Sequence, residues 1–311
     1  MTILYKKVAL IGLGLIASSI GHGLKKHGLC TTISGHAKTS NTRKKALELN
    51  IIDEICDSAV EAVLGADLVI ISTPVGVMGE IAKEISSSLK DGATLTDVGS
   101  VKKDVILLIK PHLPSSVHFI PGHPVAGTER SGPESGFAEL FKDRWCLLTP
   151  LPNTDEVALS KLTEMWQRLG ARVDTMDAKH HDLVLAVTSH SPHLIAYTMV
   201  GVADDLRRVT NSEVVNYSAA GFRDFTRIAA SDPTMWRDVF LHNKEATLEI
   251  LGRFTEELFS LQRAIRKGDG EFLHEYFSRT RKIRRGIVDA GQDTDSPDFG
   301  RRDSAEGREK K

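Results

Sequence analysis

The sequence predicts a parallel α/β sheet domain followed by an all-helical domain, and three observations carry that prediction. Between residues 7 and 176, short apolar runs alternate with stretches of helical spacing, the pattern of parallel strands joined by right-handed crossovers. The first run, Lys7-Val-Ala-Leu-Ile11, passes at once into a glycine turn, Gly12-Leu-Gly14-Leu-Ile-Ala17. After about Met176 strand-like runs cease, and helical periodicity continues to about Arg285. The expected divisions are 5–176 for the sheet domain, 177–285 for the helical domain and 286–311 for a polar, disordered tail.

In chain order, the strand, glycine turn and helix Ser18–His27 form the setting that a dinucleotide (Rossmann) fingerprint requires. Gly12 permits the tight turn, Gly14 lets backbone approach a pyrophosphate, and Ala17 in the third glycine's place still allows close helix–strand packing. Leu15 and Ile16 open a helix whose free N–H groups face the phosphates. Thr31–Gly35 reads as strand two and Asn41–Asn50 as a basic helix. Ala66–Ser72 is a buried strand ending in Thr73-Pro74, followed by a helix over Val75–Leu89. Ala93–Asp97 is a strand leading to Val98-Gly99-Ser100 and a helix through Lys110. Trp145–Thr149 and Ala171–Asp174 are later strands, with the helix Asp155–Leu169 between them. Ligands on such sheets sit at the carboxyl ends of strands, where Thr73, Pro74, Gly99 and Ser100 all fall.

Beyond Met176, Asp182–Val200 reads as a helix that Pro192 should kink, with His190 and His193 on one face. Arg223 and Arg227 lie four apart among Phe222, Phe225 and Ile228, and a guanidinium in such surroundings calls for a carboxylate or phosphate. Ser231-Asp232-Pro233 supplies a cap and a first-turn proline. One long helix is expected to follow, with an apolar stripe from Trp236 and Phe240 through Leu251, Phe254, Leu258 and Leu261 to Ile265, long enough to imply a partner subunit.

Composition narrows the class. With 40 basic and 41 acidic residues the chain has no general field for nucleic acid or anionic membrane. Its apolar runs are short and broken by charge, so no membrane span is expected. The N-terminus lacks a signal-peptide pattern, and Cys30, Cys56 and Cys146 are too scattered for a disulfide frame or a metal knuckle. A cytoplasmic enzyme is the expected class.

Pro121-Gly-His123-Pro-Val-Ala-Gly-Thr128-Glu129 is the stretch with the most chemistry: a histidine between prolines and glycines, then a hydroxyl and a carboxylate. His123 can exchange a proton near neutral pH, although a solvated loop histidine would fit the same residues. His190 and His193 lack a Cys, Asp or Glu at ligand spacing beside them, so a substrate-facing or core pair is favoured over a metal site.

Together, Gly12-Leu-Gly14-Leu-Ile16, Asp97-Val-Gly-Ser-Val-Lys102, Gly122-His-Pro-Val-Ala-Gly-Thr-Glu129, Ser189-His-Ser-Pro-His193 and Gly221-Phe-Arg-Asp-Phe-Thr-Arg-Ile-Ala-Ala-Ser-Asp-Pro233 resemble the prephenate/arogenate (cyclohexadienyl) dehydrogenases of tyrosine biosynthesis. The resemblance covers about residues 5–285. It implies a Rossmann domain, an all-α domain that forms a homodimer, and NAD+- or NADP+-dependent oxidative decarboxylation without a metal. By the same resemblance, His123 is the catalytic base on the ring hydroxyl and Ser100 shares that hydrogen bond. His193, Arg227, Ser189 and Thr128 would then line the substrate, and Glu129 and Trp236 guard the mouth, Trp236 reaching in from a second subunit. Where an acid for the ribose 2′-OH is usual after strand two, this chain has His36, Lys38 and Arg43, which leans toward NADP+ or dual use. With so few residues before 5 and after 285, neither a fused mutase nor a regulatory domain is expected, and any feedback is expected to act at the active site. Two rival readings share the plan: a β-hydroxyacid dehydrogenase, which would use a lysine base in its helical domain, and a nucleotide-sensing module without catalysis.

Overall fold

The computed structural model describes residues 2–128, 130–210 and 220–288; the expected tail beyond 288 and Glu129 lie outside them. Strands β1 (Tyr5–Ile11), β2 (Cys30–His36), β3 (Glu54–Ile55), β4 (Leu68–Ile71), β5 (Thr94–Asp97) and β6 (His118–Phe119) form a parallel sheet in the order β3-β2-β1-β4-β5-β6. Helices α1 (Leu15–Lys26), α2 (Ser40–Glu48), α3 (Ala59–Val63), α4 (Met78–Ile85) and α5 (Lys103–Ile109) connect them. Strand β1 shows why the runs are unbroken in hydrophobicity. Val8 and Leu10 enter one core with α1, whereas Ala9 and Ile11 enter a second core with α3, α4 and α5, so both faces are covered. Residues too short for a sequence pattern, β3 and β6, complete the edges.

The His123 stretch is not a loop. Gly122–Pro124 is strand β7, antiparallel to β8 (Trp145–Leu148), which pairs in parallel with β9 (Arg172–Thr175) in a separate sheet. Pro124 lacks a ladder N–H, and an edge strand is where that is tolerated. Helix α6 (Glu156–Arg168) starts on Asp155, whose side chain accepts the Ala158 N–H at 2.8 Å.

The first helix of the helical part begins at Ala178 and not at Asp182, because Asp177 caps α7 (Ala178–Leu185) by accepting the His180 N–H at 3.0 Å. A π-turn at Ala186–His190 joins α7 to α8 (Ser191–Thr210). Pro192, one residue into α8, has no N–H to donate back to Thr188, and the ladder slips there. By length and composition the stretch Ala178–Leu206, with mean hydropathy 1.2 in its most apolar window, suffices to cross a bilayer, contrary to the expectation from short runs. Its His181, Asp182 and His190 are nevertheless buried in the protein.

The remaining helices are α9 (Ala220–Thr226), α10 (Pro233–His242), α11 (Lys244–Lys267) and α12 (Gly270–Ile287). Asp232 caps α10 at 2.9 Å with Pro233 at its first position, as the sequence implies. The single long helix expected there is broken at Asn243. Residues up to Ile250 form one compact unit and those from Leu251 another. In the second, Asp269 caps α12 through the Phe272 N–H at 3.0 Å, and Arg279 lies over the Tyr276 ring.

Candidate active site

The mouth of the glycine turn is built for backbone contact with an anion. Gly12 has φ +89°, and a Cβ there would sit 2.5 Å from the Ser72 carbonyl oxygen, so only glycine fits. A Cβ on Gly14 would meet nothing within 4 Å, and Gly14 caps α1 without a side chain of its own. The helix thus starts, with Leu15 and Ile16 half-buried, beside open space at Gly14 and without a side-chain cap on its first-turn N–H groups, which leaves room for a pyrophosphate. Thr73, following β4, carries a buried hydroxyl with no protein partner, and exposed Pro74 turns the chain away from it. These features fit a bound dinucleotide.

At the end of β2 the three side chains set out for a 2′-phosphate are disposed differently. Arg43 donates to the Ala37 carbonyl at 2.6 Å and to Asp57 at 2.9 Å. His36 donates to the Cys56 carbonyl at 3.0 Å. Lys38 is exposed.

Strand β5 brings the catalytic candidates beside this mouth, since its Asp97 stands opposite Ile71 at the end of β4. Asp97 and Lys102 form an ion pair with both side chains 0 % exposed. Asp97 accepts the Gly99 N–H at 2.8 Å and the Gly122 N–H at 3.3 Å, and the Lys102 ammonium donates to the Gly122 carbonyl at 2.6 Å. The pair thus clamps the residue preceding His123. Burial pushes the Asp97 carboxyl up and the Lys102 ammonium down, each against its partner's charge.

His123 is buried, and its Nδ1 lies 2.9 Å from Nε2 of His181. His181 Nδ1 lies 2.8 Å from Asp182, whose two oxygens also accept the Lys102 and Lys103 backbone N–H groups at 2.7 and 2.9 Å. The Asn243 amide donates to the Asp182 carbonyl at 2.8 Å and to His190 Nδ1 at 3.0 Å, which is what the helix break at Asn243 makes possible. Burial, with the neighbouring His181 and Lys102 adding to it, holds the His123 imidazole well below its ordinary pKa of 6.5. Burial likewise lowers His181 and pushes His190 down to about 4. The histidines here are neutral at physiological pH.

Half-buried Ser100 follows β5, and its backbone faces His190. His193 donates from Nδ1 to the Ser189 carbonyl at 2.8 Å and stacks on Trp236 with ring centroids 3.7 Å apart. Arg227, at the junction after α9, adds its charge to the burial that lowers the His193 pKa. Trp236, 6 % exposed, is packed against His193 and His190 of its own chain. Thr128 is exposed and accepts the Arg130 N–H at 3.2 Å; Glu129 is outside the described residues. The structure therefore groups His193, Trp236, Ser189 and Arg227, and separately ties His123 to His181. Among the described residues no group of His, Cys, Asp and Glu is arranged to hold a metal. Sequence reasoning missed Asp97, Lys102, His181, Asp182 and Asn243 as site residues. The one available signal was Asp97 and Lys102 flanking the Gly99-Ser100 turn.

A dinucleotide cradle beside a buried neutral histidine defines a nicotinamide-dependent oxidoreductase. Residues 20–175 match the profile "Prephenate dehydrogenase, nucleotide-binding domain" and residues 177–279 match "Prephenate dehydrogenase, dimerization domain". The chain belongs to the prephenate dehydrogenase family. It is 41% identical to a cyclohexadienyl dehydrogenase of Zymomonas mobilis over 86% of this chain and 92% of that protein. It is 35% identical to the Bacillus subtilis prephenate dehydrogenase over 86% of this chain and 72% of that one. The Aquifex aeolicus prephenate dehydrogenase, crystallised with hydroxyphenyl propionate and NAD+, superposes with a TM-score of 0.84 at 34% identity, covering 92% of this chain and 99% of that one.

Proposed function

We propose that this enzyme oxidatively decarboxylates prephenate to 4-hydroxyphenylpyruvate, arogenate to tyrosine, or both. The supporting observation is His123: a neutral imidazole, shielded from solvent, on a strand clamped to the carboxyl end of β5. When bound, the dinucleotide accepts the hydride from ring C4. His123 Nε2 takes the proton of the C4 hydroxyl as that carbon is oxidised, and Ser100 shares the hydrogen bond. The pair of electrons from the breaking C–CO2 bond closes the aromatic ring and restores charge to the C4 oxygen, which takes its proton back from His123 to end as the phenol. Holding the reacting groups in line is most of the protein's contribution.

Arg227 and His193 anchor the substrate, with Ser189 orienting His193, Trp236 forming its floor, and Thr128 and Glu129 at the mouth. A cation gripping the departing carboxylate would favour the ground state over neutral CO2, so Arg227 serves in binding. Arg227→Ala is expected to raise KM about 10–100-fold, the worth of one charge-assisted hydrogen bond, with kcat changed far less. An equal fall in kcat and kcat/KM at constant KM would contradict this.

Gly12, Gly14, Leu15, Ile16, Thr73, Pro74 and Ser100 hold the dinucleotide. Because Arg43 is committed to Asp57 and His36 to Cys56, exposed Lys38 is left as a thin cradle for a 2′-phosphate, and NAD+ is favoured over the NADP+ suggested by sequence. The functional division falls at 176/177, with residues 177–285 serving substrate binding and dimerisation. Apolar side chains left exposed on the helices, Val202, Leu206, Leu258, Phe259 and Ile265 among them, support a homodimer, and a cytoplasmic location accords with free, mostly buried cysteines. Initial rates with prephenate and with arogenate, each with NAD+ and NADP+, test the proposal. Turnover of at least one with NAD+ is expected, and none with either oxidant would end it.

A further inference from the structure

We infer that His181 and Asp182 are positioning residues that fix the tautomer of His123, so that its Nε2 carries a lone pair toward the substrate hydroxyl; this rests on the base role proposed for His123. Protons can be placed around the chain from the hydrogen-bond partners alone. Both Asp182 oxygens accept backbone N–H groups, from Lys102 at 2.7 Å and Lys103 at 2.9 Å. The remaining contact, 2.8 Å to His181 Nδ1, is therefore a donation from the ring to the carboxylate. With its proton on Nδ1, neutral His181 presents Nε2 as an acceptor. The facing atom 2.9 Å away, His123 Nδ1, must then carry a proton. What remains on His123 is an unprotonated Nε2, the form a general base requires. The opposite tautomer would put two lone pairs 2.9 Å apart and an N–H against the hydroxyl.

The same chain helps when the proton arrives. Transfer forms the His123 Nε2–H bond as the substrate O–H breaks, leaving an imidazolium whose Nδ1–H already points at His181 and, through it, at a carboxylate. Attraction along that line offsets part of the cost of a buried cation. The other groups facing the pair are Lys102 from the start of α5, Asp97 from β5, Cys146 from β8 and His190 from the π-turn. Lys102 and His190 disfavour the His123 imidazolium, whereas Asp182 and Asp97 favour positive charge at His181, next along the chain. Asn243 holds the backbone carbonyl of Asp182 at 2.8 Å, securing the far end. His181 is itself 0 % exposed and lies 58 residues from His123 in the chain, a juxtaposition made only by folding.

The test is the 15N spectrum of the imidazoles in the native enzyme at pH 7.5, labelled at its 12 histidines and assigned with His123→Asn and His181→Phe. The expected result is His123 as the Nδ1–H tautomer in the native protein and a shift toward Nε2–H in His181→Phe. The Phe variant should also lose about 10²-fold in kcat, within the roughly 10²–10⁴ that a general base contributes, with KM and dinucleotide affinity nearly unchanged. His181→Gln, whose amide can donate to Asp182 while accepting from His123, should recover most of the loss. A native Nε2–H tautomer overturns the inference, even if His181→Phe fails to fold. So does a Phe variant with native kcat and an unshifted His123 spectrum. If the native tautomer is Nε2–H while His123→Asn is inactive, only the positioning role falls. If His123→Asn keeps its turnover, the base reading falls and takes this one with it.

Discussion

His123→Asn is expected to lower kcat by about 10²–10⁴, the usual contribution of a general base, while leaving dinucleotide affinity within about twofold. Asparagine fills most of the same volume and its amide can still contact His181, so the loss should be chemical and not structural. The cradle at Gly12 and Gly14 belongs to different segments and should not sense the change. The pH dependence gives a second readout, with a definite sign. A base works only when unprotonated, so activity is lost as pH falls through its pKa. Burial holds the His123 imidazole well below 6.5, so the native kcat/KM should stay level as pH is lowered from 8 through 6.5 and decline only beneath that. In His123→Asn this acid limb should vanish. A variant with near-native kcat, or a native profile whose acid limb is centred above 6.5, would remove His123 from the mechanism.

Lys102→Met should destabilise the fold by about 3–5 kcal/mol, the cost of breaking a buried ion pair from one side. The side chains of Lys102 and Asp97 are both 0 % exposed, so no solvent replaces the missing ammonium. Asp97 would be left either charged without a counter-charge or protonated while still facing two backbone donors, Gly99 and Gly122. The Gly122 carbonyl would lose its donor as well. Replacing both ends tells charge from packing: Asp97→Asn with Lys102→Met keeps an acceptor for one of the two N–H groups, which in the native protein bond different carboxylate oxygens, and leaves no unpaired charge. The double variant should therefore be more stable than Lys102→Met alone. Urea denaturation of both proteins measures it, and a single variant within about 1 kcal/mol of native would show that the pair contributes little. Because the clamp holds the strand bearing His123, any folded single variant should also lose activity.

Much of the dinucleotide half was legible because its signals are local. The run Lys7–Ile11 followed by Gly12 and Gly14 specifies strand, turn and helix within about a dozen residues. The caps at Asp155 and Asp232 were readable for the same reason, as each bonds a backbone N–H three residues on. Boundaries set by longer-range geometry were not. His123 read as a loop residue because prolines surround it, and only pairing with β8 makes Gly122–Pro124 a strand. The helix expected to start at Asp182 begins at Ala178, and the helix expected to run on through Asn243 stops there so that its amide can reach Asp182 and His190.

The sequence by itself determined the class of chemistry: glycines where backbone must meet phosphate, a histidine able to move a proton, and an arginine among apolar residues. Only the tertiary structure decided which groups surround that histidine. His181, Asp182, Lys102 and Asp97 look in sequence like ordinary helix and turn residues, and their roles come from being brought together out of water. The physical reason is that hydrogen-bond partnership and desolvation are properties of three-dimensional neighbours, whereas propensity and spacing report only on residues a few positions apart.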